Sequence, residues 1–245
     1  MGKRTLIMKY MTMDIKQGIH ILTLTNVQNG NDNTLTTEVL DEYLQALDEV
    51  ELYQKNTSLV ITCEHEKTFS TGINLDWLNT QSATGKQLFS DKFNLVLCRL
   101  ALLNVPTVAC INGNAYAGGA ILASAADYRV MRSDRGRFCF PEVNIKIPFS
   151  PITREVVKLL PNEKAINDMV LTGVAYTGIE CLDLNLVRSI HLADELQDAA
   201  IDLAVQLADK DRHTYCHIRN GFRSNIASHA SRIGIKYIGE PAQGS

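Results

Sequence analysis

Three segments of this 245-residue chain carry residue types suited to proton transfer beside an activated carbonyl group. The first is Phe69-Ser-Thr-Gly-Ile-Asn-Leu75 and the second is Asn112-Gly-Asn-Ala-Tyr-Ala-Gly-Gly-Ala-Ile-Leu122. Each follows an apolar run that reads as a buried strand. The second opens an apolar helical stretch, residues 120–126, so Gly118 and Gly119 offer backbone N–H groups at a helix start with no side chains in the way. Such groups, aided by the helix dipole, attract negative charge. One more N–H from the Gly72 loop would make a two-point cradle for an oxyanion. Ordinary tight turns are the reading that pattern alone favours for both loops, because glycine is common there. The second loop has neither a Gly-Lys-Ser/Thr ending nor GxGxxG spacing, which excludes a Walker or dinucleotide loop. The third segment is Phe140-Pro-Glu-Val-Asn-Ile145. Glu142 stands between apolar neighbours, where burial would raise its pKa and make it a usable general base or acid. A solvated loop glutamate is the competing reading.

No other cluster promises chemistry. Histidines 20, 65, 191, 213, 217 and 229 share no metal-binding spacing, and His213 and His217 lack the glutamate of HExxH. Cysteines 63, 98, 110, 139, 181 and 216 are scattered without a CxxC pair, as expected of buried free thiols in a reducing compartment.

Stepping along the chain, residues 19–25 read as a β-branched strand and residues 26–33, with Asn29-Gly30, as a loop. A helix capped at Thr36 or Thr37 follows, with Val39, Leu40, Tyr43, Leu44, Leu47 and Val50 at helical spacing. Residues 58–63 form a buried strand, 67–79 a loop and then a helix, and 89–103 a helix that Pro106 terminates. Strands at 107–111 and 127–131 flank the second glycine segment. Beyond residue 153 the pattern is helical, over 153–160, 163–172, 178–184 and 193–209, with a polar, partly basic helical tail at 211–232. Alternating strands and helices imply an α/β body with mostly parallel pairing, followed by a helical C-terminal third.

Composition sets the class. Hydrophobic residues at 45% and charged residues at 21% exclude a largely disordered chain. A net charge of −3 argues against a general nucleic-acid binder. No run of 18 apolar residues predicts a membrane span. The apolar start Met1-Gly-Lys-Arg-Thr-Leu-Ile-Met8 stops at Lys9 without a cleavage site, and the chain does not end in Ser-Lys-Leu, so a cytoplasmic location is expected.

Taken together, the glycine segments and Glu142 resemble the crotonase (enoyl-CoA hydratase/isomerase) superfamily. The first segment is similar to its Phe-Ser/Ala-Ala-Gly-x-Asp-Leu loop and the second to its Asn-Gly-x-Ala-x-Gly-Gly-Gly loop. Asp127-Tyr-Arg, Phe140-Pro-Glu-Val-Asn-Ile145, Leu171-Thr-Gly-Val-Ala-Tyr-Thr-Gly-Ile-Glu180 and Asn185-Leu-Val-Arg188 follow in the same order and spacing, so that the similarity spans about residues 14 to 210. The resemblance implies a crotonase-like ββα spiral core over residues 1–190. It also implies a helical C-terminal trimerisation region over 191–245 in the same structural unit, and a homotrimer or hexamer. It implies acyl-CoA substrates and no metal or redox cofactor. The N–H groups of Ile73 and Gly118 would form the oxyanion hole, and Ser70, Thr71, Gly72, Leu75, Trp77, Gly119 and Ile121 would contact substrate. Trp77 and Leu78 would line an acyl tunnel or fill the core. Asn74 stands where the family has Asp and is expected to make a local loop bond. Arg219, Arg223, Arg232 and Lys236 read as a solvated basic face rather than a seat for CoA phosphates.

Departures from the family pattern narrow the chemistry. The first of the two hydratase glutamates is replaced by Ile121, and the glycine-rich stretch after the second is Lys146-Ile-Pro-Phe-Ser-Pro151. One carboxylate, Glu142, suits a one-base proton shuttle, similar to the single-domain Δ3,Δ2-enoyl-CoA isomerases. Asp127-Tyr-Arg-Val-Met-Arg-Ser-Asp-Arg-Gly136 matches their pattern as well. Another crotonase reaction (hydration, thioester hydrolysis or decarboxylation) and a non-catalytic acyl-CoA-binding role are the alternatives.

Overall fold

The computed structural model describes residues 5–27 and 32–240. Strand β1 (Leu6–Ile7) pairs antiparallel with β2 (Met11–Lys16), and β2 with β3 (Ile19–Leu24). Gln17 and Gly18 join β2 to β3 with φ of 54° and 80°, the left-handed pair that a two-residue hairpin turn needs. Strand β3 falls in the run 19–25 that reads as a strand, whereas β2 and the hairpin turn are additions to that expectation. Asn29-Gly30 lies outside the described residues.

Helix α1 (Thr37–Leu52) starts on the Thr36 side chain, which accepts from the Val39 N–H, and buries Val39, Leu40, Tyr43, Leu47 and Val50. From there the chain repeats one unit. A long buried strand enters the large sheet, a three-residue strand enters a small second sheet, and a helix returns. The first unit is β4 (Leu59–Cys63), β5 (Thr68–Ser70), α2 (Leu75–Thr80) and α3 (Ala83–Ala101). The second is β6 (Thr107–Ile111), β7 (Asn114–Tyr116) and α4 (Gly118–Ala125), and the third is β8 (Tyr128–Arg132), β9 (Arg137–Cys139) and α5 (Glu142–Ile145). This is the ββα repeat expected of the resemblance. Then come α6 (Pro151–Val157), α7 (Glu163–Thr172), β10 (Ala175–Thr177), α8 (Gly178–Asp183) and β11 (Ser189–His191). Helices α9 (Ala193–Ala208), α10 (Arg212–Phe222) and α11 (Ser224–Arg232) follow.

The large sheet runs β1-β2-β3-β4-β6-β8-β11, parallel from β3 onward, and the small sheet runs β10-β9-β7-β5. Strands β4 and β6 are buried on both faces, as parallel strands between helical layers must be. On one face α9 lays Leu196, Ala200, Ala204 and Leu207 over Ile19, Val60, Val108, Cys110 and Val130. The main core fills the other face. Among the described residues no helix is long and apolar enough to cross a membrane. All six cysteines are buried and unpaired.

The basic C-terminal segment corrects one expectation. Arg219 and Arg223 are not a solvated face. Their side chains are 8% and 9% exposed and both pair with Asp127, itself 4% exposed, at 3.2 and 2.9 Å. Arg223 also donates to the carbonyls of Ala101 and Ala125, the last residues of α3 and α4, where helix dipoles favour a cation. Burial alone would raise the Asp127 pKa, but the two guanidiniums override it and hold the carboxyl below its ordinary value. Arg232 and Lys236 are exposed as expected. Since removing one partner of a buried pair strands the other charge, Asp127→Asn should cost about 3–5 kcal/mol in denaturant unfolding. A loss under about 1 kcal/mol, the ordinary worth of a surface pair, would contradict this account.

Candidate active site

The first glycine segment is shaped by bonds to the residues before α1. Ser70 Oγ, fully buried, donates to the Asn33 carbonyl at 2.7 Å and accepts from the Gly72 N–H at 3.1 Å. The Leu35 N–H donates to the Gly72 carbonyl, and the Asn74 N–H donates to the Leu35 carbonyl. These two bonds leave the intervening Ile73 N–H with no protein acceptor among the described residues. Asn74 then caps α2, its Oδ1 accepting from the Trp77 N–H at 2.8 Å. That is the local bond expected of it.

The second segment arrives from β7. Ala117 holds φ of 47° and ψ of −126°, a strained backbone for a residue with a Cβ. Its N–H donates to the Cys139 carbonyl at the end of β9. The twist starts α4 abruptly, with no capping side chain. The Gly118 N–H is therefore one of the unsatisfied donors that every helix N-terminus carries. Gly72, at φ 79°, touches this helix start so closely that a Cβ on it would lie 2.5 Å from the Gly118 nitrogen. A Cβ on Gly119 would collide with the Ser70 carbonyl, so this glycine serves the packing of α4 on β5.

Glu142 is the first residue of the single-turn helix α5. A run of edge-to-face rings, Phe138–Phe140 at 5.6 Å and Phe140–Phe149 at 6.1 Å, brackets its turn. It shares a cavity of about 180 Å³ with Ile73, Gly118, Ile121, Phe93 and Phe149. The residue is only 7% exposed and Oε2 has no hydrogen-bond partner. Burial pushes its pKa up to about 7. Ile121, one turn along α4 from Gly118, presents an apolar wall. The cavity brings together a carboxyl that titrates near neutrality and two residues whose backbone N–H groups have no protein acceptor among the described residues. Such a site can remove a proton next to a carbonyl and stabilise the resulting oxyanion.

Of the site residues expected from sequence, Ile73, Gly118, Ile121 and Glu142 line this cavity. Ser70, Gly72 and Gly119 stand behind it and shape the loops. Thr71 bonds back to the Asp32 carbonyl. Leu75 is exposed, and Trp77 packs against the Phe89 ring at 5.6 Å, while Leu78 reaches the cavity. Lys86, Ser90 and Asn94 of α3, Ser150 at the N-cap of α6 and Thr153 within it also line the cavity, and none of them is a site residue expected from sequence. The α3 residues recur at helical spacing, a signal readable only once a neighbouring element shows which way the helix faces.

A family profile described as enoyl-CoA hydratase/isomerase matches residues 14–234. The chain belongs to this family. Among curated relatives, it is 28% identical to the peroxisomal enoyl-CoA delta isomerase 2 of Arabidopsis thaliana over 205 residues, which cover 81% of the chain and 83% of the relative. It is 34% identical to the carnitinyl-CoA dehydratase of Salmonella enteritidis over 180 residues, 73% of the chain and 67% of the relative. The fold is shared with an enoyl-CoA hydratase structure from Geobacillus kaustophilus HTA426, with a TM-score of 0.80 at 22% identity over 93% of this chain and 84% of that one. The crotonase fold expected from the sequence is thus the fold observed.

The environment of Glu142 has a cost that pH reveals. Its raised pKa means that the folded protein keeps a proton that the unfolded chain has lost between about pH 4.5 and 7. Stability therefore falls as pH rises through this window, and the whole cost is present above pH 7. On the scale of 1.36 kcal/mol per pKa unit the cost is on the order of 3 kcal/mol. Glu142→Gln should lack this component, so its unfolding free energy should gain on the wild type as pH is raised. Parallel stability curves for the two proteins would show that the carboxyl is not buried uncompensated.

Proposed function

We propose that this protein is a Δ3,Δ2-enoyl-CoA isomerase working through one carboxyl group. The observation that carries the reading is Glu142 as the one carboxylate among the described residues that line the cavity, with apolar Ile121 on the facing helix turn. The thioester oxygen accepts from the Ile73 and Gly118 N–H groups. Glu142 removes a proton from C2 of a 3-enoyl-CoA, and the charge moves onto the thioester oxygen as the enolate forms. The same carboxylic acid, now neutral, gives its proton to C4, and a trans-2-enoyl-CoA leaves. A group with a pKa of about 7 suits both halves, since it accepts and returns the proton without a large energy gap in either direction. An oxyanion donor of this kind is worth about 3–4 kcal/mol of barrier. Addition of water would need a second group to hold and activate it, and Ile121 cannot do that.

The test is incubation of the purified protein with 3-cis- and 3-trans-enoyl-CoA, following conjugation in the ultraviolet and product mass. The expected product has the substrate's mass. A product heavier by one water would replace isomerisation with hydration. Activity should rise with pH through about 7 as Glu142 ionises. Glu142→Gln should lower kcat by at least about a hundredfold while acyl-CoA still binds. Near wild-type isomerisation in that variant would refute the one-base mechanism.

An assembly follows from the same reading. Ile218, Phe222 and Ile233 on and beside the last two helices are 56%, 90% and 49% exposed, a costly apolar display for a single chain. Contacts between subunits through this region fit the family's trimers. Light scattering should give a mass that is a multiple of three chains, and a clean monomer would contradict it.

A further inference from the structure

Helix α3 turns two rows of side chains toward the cavity. One row is aromatic. Phe89 and Phe93 are buried and stacked, with centroids 6.1 Å apart and planes within 13°. The other row is polar and consists of Lys86, Ser90 and Asn94 at i, i+4 and i+8, the repeat that aligns side chains along one strip of a helix. Asn94 Oδ1 accepts from Ser150 Oγ at 2.8 Å, which leaves its amide nitrogen without a protein acceptor among the described residues. Lys92, on the same helix, is paired with Asp41, whereas the Lys86 ammonium has no ion pair or hydrogen bond among the described residues.

The rows have a direction. The Phe93 ring lies 3.5 Å from where a Cβ on Gly118 would be, so the Asn94 end of the polar row adjoins the helix start where the thioester oxygen is proposed to sit. Lys86 is eight residues away, about 12 Å along the axis, at the exposed rim. A plain hydrocarbon chain laid along α3 would use the two rings and bury the polar row to no gain. A chain with an apolar stem and an anionic end would use both, with the stem on the rings and the charge on the ammonium.

Building on the isomerase reading above, we propose that the preferred substrate is an enoyl-CoA whose acyl chain ends in a carboxylate, held by Lys86 at the far rim of the cavity. Carbon–carbon bonds of about 1.5 Å, set in a zigzag, cover the distance in about eight to ten bonds, which points to a medium-length chain.

The experiment compares matched 3-enoyl-CoA thioesters of that length, one ending in a methyl group and one in a carboxylate. The carboxylate form should show about tenfold higher kcat/KM at low salt, and the advantage should shrink as salt is added. In Lys86→Met the ratio between the two should fall to about one. A wild-type ratio of one or less would overturn the inference. So would a ratio that survives in Lys86→Met, including an equal loss on both substrates, which would place Lys86 against the CoA portion instead. Calorimetry with the corresponding saturated acyl-CoAs separates this inference from the isomerase reading. If neither unsaturated substrate is isomerised, that reading fails. Tighter binding of the carboxylate form, lost in Lys86→Met, still supports the Lys86 seat, and equal binding overturns it.

Discussion

Gly72 and Gly118 meet backbone to backbone, with no room for a methyl group between them. Everything at the site depends on this contact. It brings Ile73 and Gly118, 45 positions apart in sequence, onto one cavity. It also explains why the surroundings are so heavily bonded. Ser70 and Leu35 hold the first loop from behind, and the Cys139 carbonyl holds Ala117 in a conformation it would not adopt alone. Two free donors stay free because the groups around them are fully occupied.

The two buried carboxyls near opposite ends of α4 have opposite fates under the same physics. Asp127 follows the C-terminal end of the helix and has Arg219, Arg223, Tyr215 and the Thr107 N–H around it. Glu142 sits near the N-terminal end with no ion pair among the described residues and a bare Oε2. Burial acts on both in the same direction. Guanidiniums reverse it at Asp127, and nothing does so at Glu142. The first carboxylate locks the C-terminal helices onto the core. The second remains poised to exchange a proton at neutral pH.

Much of this was legible in the sequence, and what was not has a physical reason. The long strands announce themselves through β-branched runs such as Leu59–Cys63, and the C-terminal helices through apolar spacing. The small sheet is built from strands of three residues, too short for any alternation to register. Ile73, Gly118, Ile121 and Glu142 were recoverable because each lies in a compact local pattern. Arg219 was misread as part of a solvated face because its partner Asp127 is 92 residues away, and a local charge pattern carries no record of such distances. The wall made by α3 and α6 escaped for the same reason, since a helix face acquires meaning only from what it faces.

Helix α4 begins without a cap. In most helices a serine, threonine or aspartate closes that end as part of folding. Here the polypeptide leaves the closing step undone. Under the proposed reading the thioester oxygen would stand where a capping side chain stands elsewhere, so that binding substrate and closing the helix would be one event.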